Sequence, residues 1–252
     1  YTNREAVEPI YSETRAWSLS YFDRIYARVG TQFERFYFES EVFARGKELV
    51  EEYLTKGIFQ KSDGAVIFPG SQYGLHDRVF LNSQGFPTYE GKEVGLAELQ
   101  FGDYTADRIV HITGSEQAPY FSVVFKAIEQ VFPHTANKEK HVTYGWVRLK
   151  EGKMSSRLGN VVLGEQLLGV VEELIAAHMA ERDMPHKQEV ITAIASASIK
   201  YAFLKVQVDK DIAFDMEESV STTGDSGPYV LYIIARINTL LNDQRVVTSS
   251  VA

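Results

Sequence analysis

An α/β fold with a helical C-terminal extension is what this sequence predicts, and three observations carry it. The first is an apolar run Ile109 to Thr113 that ends in Gly114, followed by a helical stretch Pro119 to Val131 and a second β-like run at Val142 to Val147, which together read as a βαβ unit. The second is Asp63-Gly64 set between runs that favour strands, a strong two-residue hairpin turn. The third is a nearly continuous helical periodicity after residue 160, with short breaks.

Taken in order, Thr2 to Tyr26 places Val7, Ile10, Tyr11, Trp17, Leu19 and Phe22 at roughly helical spacing, which predicts one or two amphipathic helices. Thr31 to Phe38 is aromatic-rich and reads as extended. Glu39-Ser40-Glu41 opens a helix to Lys56, with Ser40 as its expected cap and Gly57 as its stop. Ile58 to Phe68 is the hairpin, Leu75 to Asn82 a further strand, and Gln84 to Tyr89 a turn into a helix over Lys92 to Leu99. Ile109 to Thr113 predicts a buried parallel strand, because its apolar run is nearly unbroken. Val161 to His178 and His186 to Lys205 read as helices parted by Asp183-Met184-Pro185, and Asp211 to Asp215 as a short extended link. A long helix begins at Gly227-Pro228-Tyr229, where proline suits the first turn.

Composition excludes several classes. With 252 residues and 44% hydrophobic content the chain has material for an ample core. A net charge of -8 argues against non-specific coating of DNA or RNA, which rests on neutralising many phosphates. No apolar run approaches the ~20 residues of a membrane span, so no membrane partner is expected. The absence of cysteine removes disulfides, thiol nucleophiles and cysteine-bound metals, and it fits a cytoplasmic location. The histidines lack metal-ligand spacing, so no protein-bound metal is expected.

The stretch richest in chemistry is Gly152-Lys153-Met154-Ser155-Ser156-Arg157-Leu158-Gly159-Asn160. Two cations and two hydroxyls between glycines suit an oxyanion, above all phosphate, on a loop free to swing; a solvated turn is the plainer reading. Lys-Met-Ser-Ser-Arg followed by Leu-Gly-Asn resembles the signature loop of class I aminoacyl-tRNA synthetases, in the variant typical of the arginyl enzymes. Three further segments match that family in the expected order: Tyr37-Phe38-Glu39-Ser40-Glu41, Gly85 to Glu93, and Gly114-Ser115-Glu116-Gln117.

The resemblance implies the second half of a Rossmann-like class I catalytic domain at residues 1–215 and the start of a helical anticodon-binding domain at 216–252. It implies an arginine–tRNA ligase with ATP, arginine and tRNA as substrates, magnesium arriving on the ATP phosphates. Glu39, Tyr89, Glu93 and Gln117 would hold arginine, since a guanidinium is met bidentately by carboxylates. Gly114, Glu116, His141, Gly145, Val147 and Lys153 would line the ATP site. Lys153, Ser155, Ser156 and Arg157 would steady the phosphates as pyrophosphate leaves, with no protein nucleophile. Each acid taken singly also reads as a solvated helix-start charge.

Two departures from the family pattern stand out. Position 93 is commonly Asp, so Glu93 adds a methylene, and Ser156 stands where most class I enzymes carry a second lysine. The first family signature, His-Ile-Gly-His, does not occur; His111-Ile112-Thr113-Gly114 lacks its closing histidine and reads as a strand end. The chain is therefore expected to be the middle of a longer enzyme, poor at binding ATP alone. Two other readings stay open: a non-catalytic synthetase-derived module binding RNA or protein, and a nucleotidyl-transfer enzyme of related fold. Gly224-Asp225-Ser226-Gly227-Pro228 superficially matches a serine-protease nucleophile segment, but its surroundings make it a helix-entry turn.

Overall fold

The computed structural model describes residues 4–150 and 163–242. Cα packing divides the chain into two units, one of Tyr1–Phe33, Val147–Gln207 and Asp211–Ala252, the other of Glu34–Trp146 and Val208–Lys210.

The unit built on Glu34–Trp146 opens with a segment over 34–38 that joins no sheet and ends with Phe38 in extended conformation, then enters helix α2 (Glu39–Thr55). The cap is Phe38 and not Ser40, because the Glu41 carboxylate accepts the Phe38 backbone N–H at 2.7 Å and so ties off the helix start from inside. Gly57, at φ +81, stops α2 as expected. A three-stranded antiparallel sheet follows, β1 (Gln60–Ser62), β2 (Ala65–Phe68) and β3 (Arg78–Leu81). Asp63 and Gly64 turn the hairpin with φ of 47 and 79, the conformation that Asp-Gly favours.

Helix α3 (Tyr89–Asp103) packs on α2 through glycine. A Cβ at Gly46 would lie 2.4 Å from the Gly91 carbonyl oxygen, one at Gly95 would lie 2.7 Å from the Val42 carbonyl, and one at Gly91 would lie 2.4 Å from the Phe80 carbonyl of β3. Backbone thus meets backbone at three consecutive points, which no side chain would allow. Around this seam Leu49, Val50, Phe59, Phe68, Phe80 and Val94 are almost fully buried, joined by Val123, Val124, Ala127 and Ile128 of the next helix.

That helix, α4 (Ala118–Val131), links β4 (Ile109–Gly114) to β5 (Glu139–Tyr144) as the expected βαβ unit. The strands are parallel, Ile109 opposite Glu139 and Gly114 opposite Tyr144. The expectation of full burial is corrected here. Side chains alternate across a strand, so Ile109, His111 and Thr113 face α4 while Val110 and Ile112 are left 45% and 63% exposed on the other face.

The other unit holds α1 (Arg4–Val29), a single helix where one or two were expected, whose apolar positions Val7, Ile10, Tyr11, Trp17 and Phe22 are exposed. It also holds β6 (Val147–Leu149) paired in parallel with β7 (Ile212–Phe214), and helices α5 (Gly164–His178), α6 (Lys187–Leu204), α7 (Met216–Ser219) and α8 (Gly227–Asn242). Leu168, Val171, Ile175, Ile191, Ala195 and Phe214 centre its core. The Gly224 to Pro228 segment is the helix-entry turn expected from sequence: Gly224 has φ +78, and the buried Ser226 hydroxyl accepts the Tyr229 N–H at the start of α8. No described helix is long and apolar enough to cross a membrane.

The glycine seam is directly testable. Gly46→Ala or Gly95→Ala forces α2 and α3 apart and costs roughly 1–3 kcal/mol or more. In the pair the costs do not add, because both report one contact. Urea unfolding monitored by circular dichroism reads both effects, with Gly102→Ala, where nothing lies within 4 Å of the added Cβ, as the neutral control.

Candidate functional site

The first turns of α3 present two neighbouring residues to different surroundings. Successive residues on a helix are about 100° apart, so Lys92 and Glu93 diverge. Lys92 points to the α2 start, where its ammonium sits 2.8 Å from Glu39 Oε1 and 4.7 Å from the centroid of the Tyr89 ring. Glu39 and Tyr89 are both open to solvent, at 58% and 73% exposure, and an internal cation already bridges them.

Glu93 turns inward. It lies within reach of Tyr120 on α4, and its charge is felt by Glu90 one helical turn back, by His111 on β4 and by Glu139 on β5. Burial is the main cause that raises its carboxyl above the usual range; His111 pulls the other way, and Glu139 and Glu90 push it further up. The Tyr120 phenol is raised too, by burial and then by the carboxylates of Glu93 and Glu90.

Around this carboxylate the structure assembles a polar cluster that sequence reasoning missed. Arg78 on β3 donates to Glu90 at 2.9 Å and lies over the Tyr120 ring at 5.4 Å. Its Nε is buried without a hydrogen-bond partner. His111 Nε2 is 3.3 Å from Glu139 Oε2, with side chains only 12% and 4% exposed, and neither that nitrogen nor either Glu139 oxygen makes a hydrogen bond. The His111 ring packs between Phe121 and Phe125 at 5.1 and 5.0 Å. The signals were present in the sequence: Glu90 and Glu93 are three apart and share a helix face, and His111 alternates with Ile109 and Thr113 on one strand face. What the sequence did not say was which face would be inside.

The candidates for nucleotide binding divide. Gly114 closes β4 at its carboxyl end, opposite Tyr144 at the end of β5, with the buried Gly145 next and its N–H donating to the Val208 carbonyl at 3.1 Å. This is the edge of a parallel sheet where ligands collect. The Glu116 carboxylate folds into the space that Gly114 leaves empty, so that a Cβ there would lie 2.4 Å from Glu116 Oε2. Gln117 is exposed at the residue preceding α4, where its side chain makes no capping hydrogen bond. His141 instead faces α4: Thr113 Oγ1 is 2.8 Å from its Nε2, the Phe121 ring lies tilted against it at 4.5 Å, and burial, aided by His111, holds its imidazole below the usual range. Val147 belongs to the other unit, in β6. Lys153, Ser155, Ser156 and Arg157 lie outside the described residues. Among the described residues no three His, Asp or Glu side chains converge as metal ligands.

Residues 7–216 match the family model of tRNA synthetases class I (R), catalytic domain. Among curated relatives, the arginine–tRNA ligase of Treponema pallidum is 34% identical over 240 residues, covering 93% of this chain and 41% of that protein. The arginine–tRNA ligase of Porphyromonas gingivalis is 33% identical, with 94% and 41% covered. The chain therefore spans about two fifths of the length of these relatives. The fold is similar to that of the arginyl-tRNA synthetase of Plasmodium falciparum, at a TM-score of 0.80 and 17% identity, covering 96% of this chain and 42% of that one. It is also similar to that of the Thermus thermophilus enzyme, at 0.70 and 21%, covering 94% and 49%.

The direction of the Glu93 shift predicts a pH-dependent stability. A carboxyl raised in the folded state is protonated there before it is in the unfolded chain, so stability is highest below the unfolded value of about 4.5 and falls as pH rises toward the folded one. Glu93→Gln removes that loss. The variant should melt several degrees above the parent chain at pH 7.5, with the gap closing at pH 4, as read by calorimetry; equal melting temperatures at both pH values would show that Glu93 ionises freely.

Proposed function

Since the chain belongs to the family of class I tRNA synthetase catalytic domains of the arginine type, we propose that it carries the arginine-recognising and part of the ATP-binding surface of an arginine–tRNA ligase. The whole protein would join arginine to ATP as an adenylate and then pass arginine to the terminal ribose of its tRNA. The observation that carries this reading is Glu93, a carboxylate drawn into a cluster where acids outnumber permanent cations and where burial leaves its charge poorly screened. Such a group favours a ligand that brings its own delocalised cation and a fork of donors.

On this assignment Glu93 takes the guanidinium, Tyr89 and Gln117 supply neutral contacts and shape, and Glu39 contributes a second carboxylate once Lys92 has released it. The extra methylene of Glu93, compared with the Asp common at this position, brings the carboxylate about one bond further from α3. Gly114, Glu116 and Gly145 at the carboxyl ends of β4 and β5 would face the nucleoside, and His141 would support that edge from beneath through Thr113. Val147 would add a backbone edge to the adenine. Lys153, Ser155, Ser156 and Arg157 would attend the phosphates, whose magnesium comes with ATP. Residues 1–215 then form catalytic-domain sequence, and 216–252 the beginning of the anticodon-binding part.

Calorimetric titration of this chain with L-arginine, L-lysine and citrulline tests the reading. Citrulline keeps the shape of arginine and loses the cation, so arginine should bind at least tenfold more tightly than either control, and Glu93→Gln should remove that preference. Equal affinity for arginine and citrulline, or no arginine binding even with tRNA present, overturns the assignment.

A further inference from the structure

Two of the residues assigned to arginine already hold a cation. Glu39 opens α2, while Tyr89 and Lys92 stand three apart on one face of α3, near enough to touch. The Lys92 ammonium lies 2.8 Å from Glu39 Oε1 and 4.7 Å from the centroid of the Tyr89 ring, with its side chain only 16% exposed. A cation set between a carboxylate and an aromatic ring is the arrangement by which a site holds a charged ligand. Here the chain supplies that cation itself.

The glycine seam fixes where this lysine starts. A Cβ at Gly46 would lie 3.2 Å from the Lys92 Cα, so the root of the side chain sits on the backbone contact between α2 and α3 and its stem leads to the start of α2. A group tethered in this way stays close to its acceptor and competes for it at high effective concentration. The chemistry of the competitor then decides the outcome. A free amine brings Glu39 the same point charge that it already holds, an exchange of like for like in which the tethered group wins. A guanidinium brings a planar fork that takes both oxygens of a carboxylate and lies flat on an aromatic ring, contacts that one ammonium does not reproduce.

Resting on the reading of Glu39, Tyr89 and Glu93 as arginine contacts, we propose that Lys92 is a specificity-determining residue that bars amine side chains from the outer carboxylate and yields it to a guanidinium. The discrimination works by exclusion: Lys92 adds no contact to arginine, and it weakens the binding of both cations, that of the amine more. Glu93 attracts either cation, so it is the outer carboxylate, with its resident lysine, that separates arginine from lysine.

The test compares L-arginine, L-lysine and citrulline by calorimetric titration at one pH and one ionic strength. Lys92→Met keeps the apolar stem and removes the ammonium. Lysine should then bind about three- to tenfold more tightly and arginine by about twofold or less, so that the preference for arginine over lysine shrinks while citrulline is unaffected. In a Glu39→Gln background the same Lys92→Met change should leave the arginine-to-lysine ratio where Glu39→Gln alone puts it, because no outer carboxylate is left to contest. Lys92→Gln serves if the methionine variant does not fold. A ratio unchanged by removal of the ammonium, as expected of a pair that only ties α2 to α3, overturns the proposal and leaves the arginine assignment standing; so does a ratio that changes equally without Glu39. Absence of arginine binding in the parent chain and in every variant removes that assignment, and this proposal falls with it.

Discussion

Three missing side chains hold the start of α3 and its surroundings in place. Gly46, Gly91 and Gly95 let α2, α3 and β3 approach until main chain touches main chain, and everything at the N-terminal end of α3 takes its direction from that contact. Because α3 cannot rotate without driving a carbonyl into a neighbouring Cα, Lys92 is fixed toward Glu39 and Glu93 toward α4 and β4. A helix held by interdigitating side chains has alternative packings of similar energy; one held by backbone contact has few. Precision at the site is therefore a consequence of residues that carry no chemistry.

The same unit departs from the usual arrangement in putting polar groups on the inside of its parallel strands. Strands of a βαβ unit ordinarily bury apolar residues on the face that meets the helix, yet here Val110 and Ile112 are exposed while His111, Thr113, Glu139 and His141 face inward. Thr113 and His141 satisfy one another, and Phe121 and Phe125 supply the packing that the imidazoles can accept. Glu139 and the Arg78 Nε remain without hydrogen bonds. Local violations of the burial rule collect where function demands them, and this one lies against the carboxylate that the family resemblance singles out.

Much of the secondary structure was legible because it rests on local chemistry. Asp63-Gly64 dictates its turn, Gly57 its helix stop, Pro228 its helix start, and the apolar spacing of α4 its buried face. The misreadings have equally local causes. Ser40 is a good cap by residue type, but the Glu41 side chain ties off the Phe38 N–H, placing the cap two residues earlier. The run Ile109 to Thr113 looked uniformly buried because apolar content does not report which of two faces is covered. Motif pointed the sequence reading to Glu93 and Gly114, whereas Arg78, Glu90, Tyr120 and Glu139 come together only through folding, from three separate elements besides α3 itself. Single-sequence reasoning has no handle on such a convergence.

The two carboxylates assigned to arginine are not equivalent, and magnitudes decide between them. Glu39 is 58% exposed and already paired with Lys92, so trading that cation for another in water is worth about 0–1 kcal/mol. Glu93 is drawn into a cluster whose members are largely removed from water, where leaving a charge unmatched costs about 3–5 kcal/mol. On the proposed assignment, preference for a cationic side chain would come chiefly from Glu93 and its neighbours, with Glu39 and Tyr89 shaping the approach.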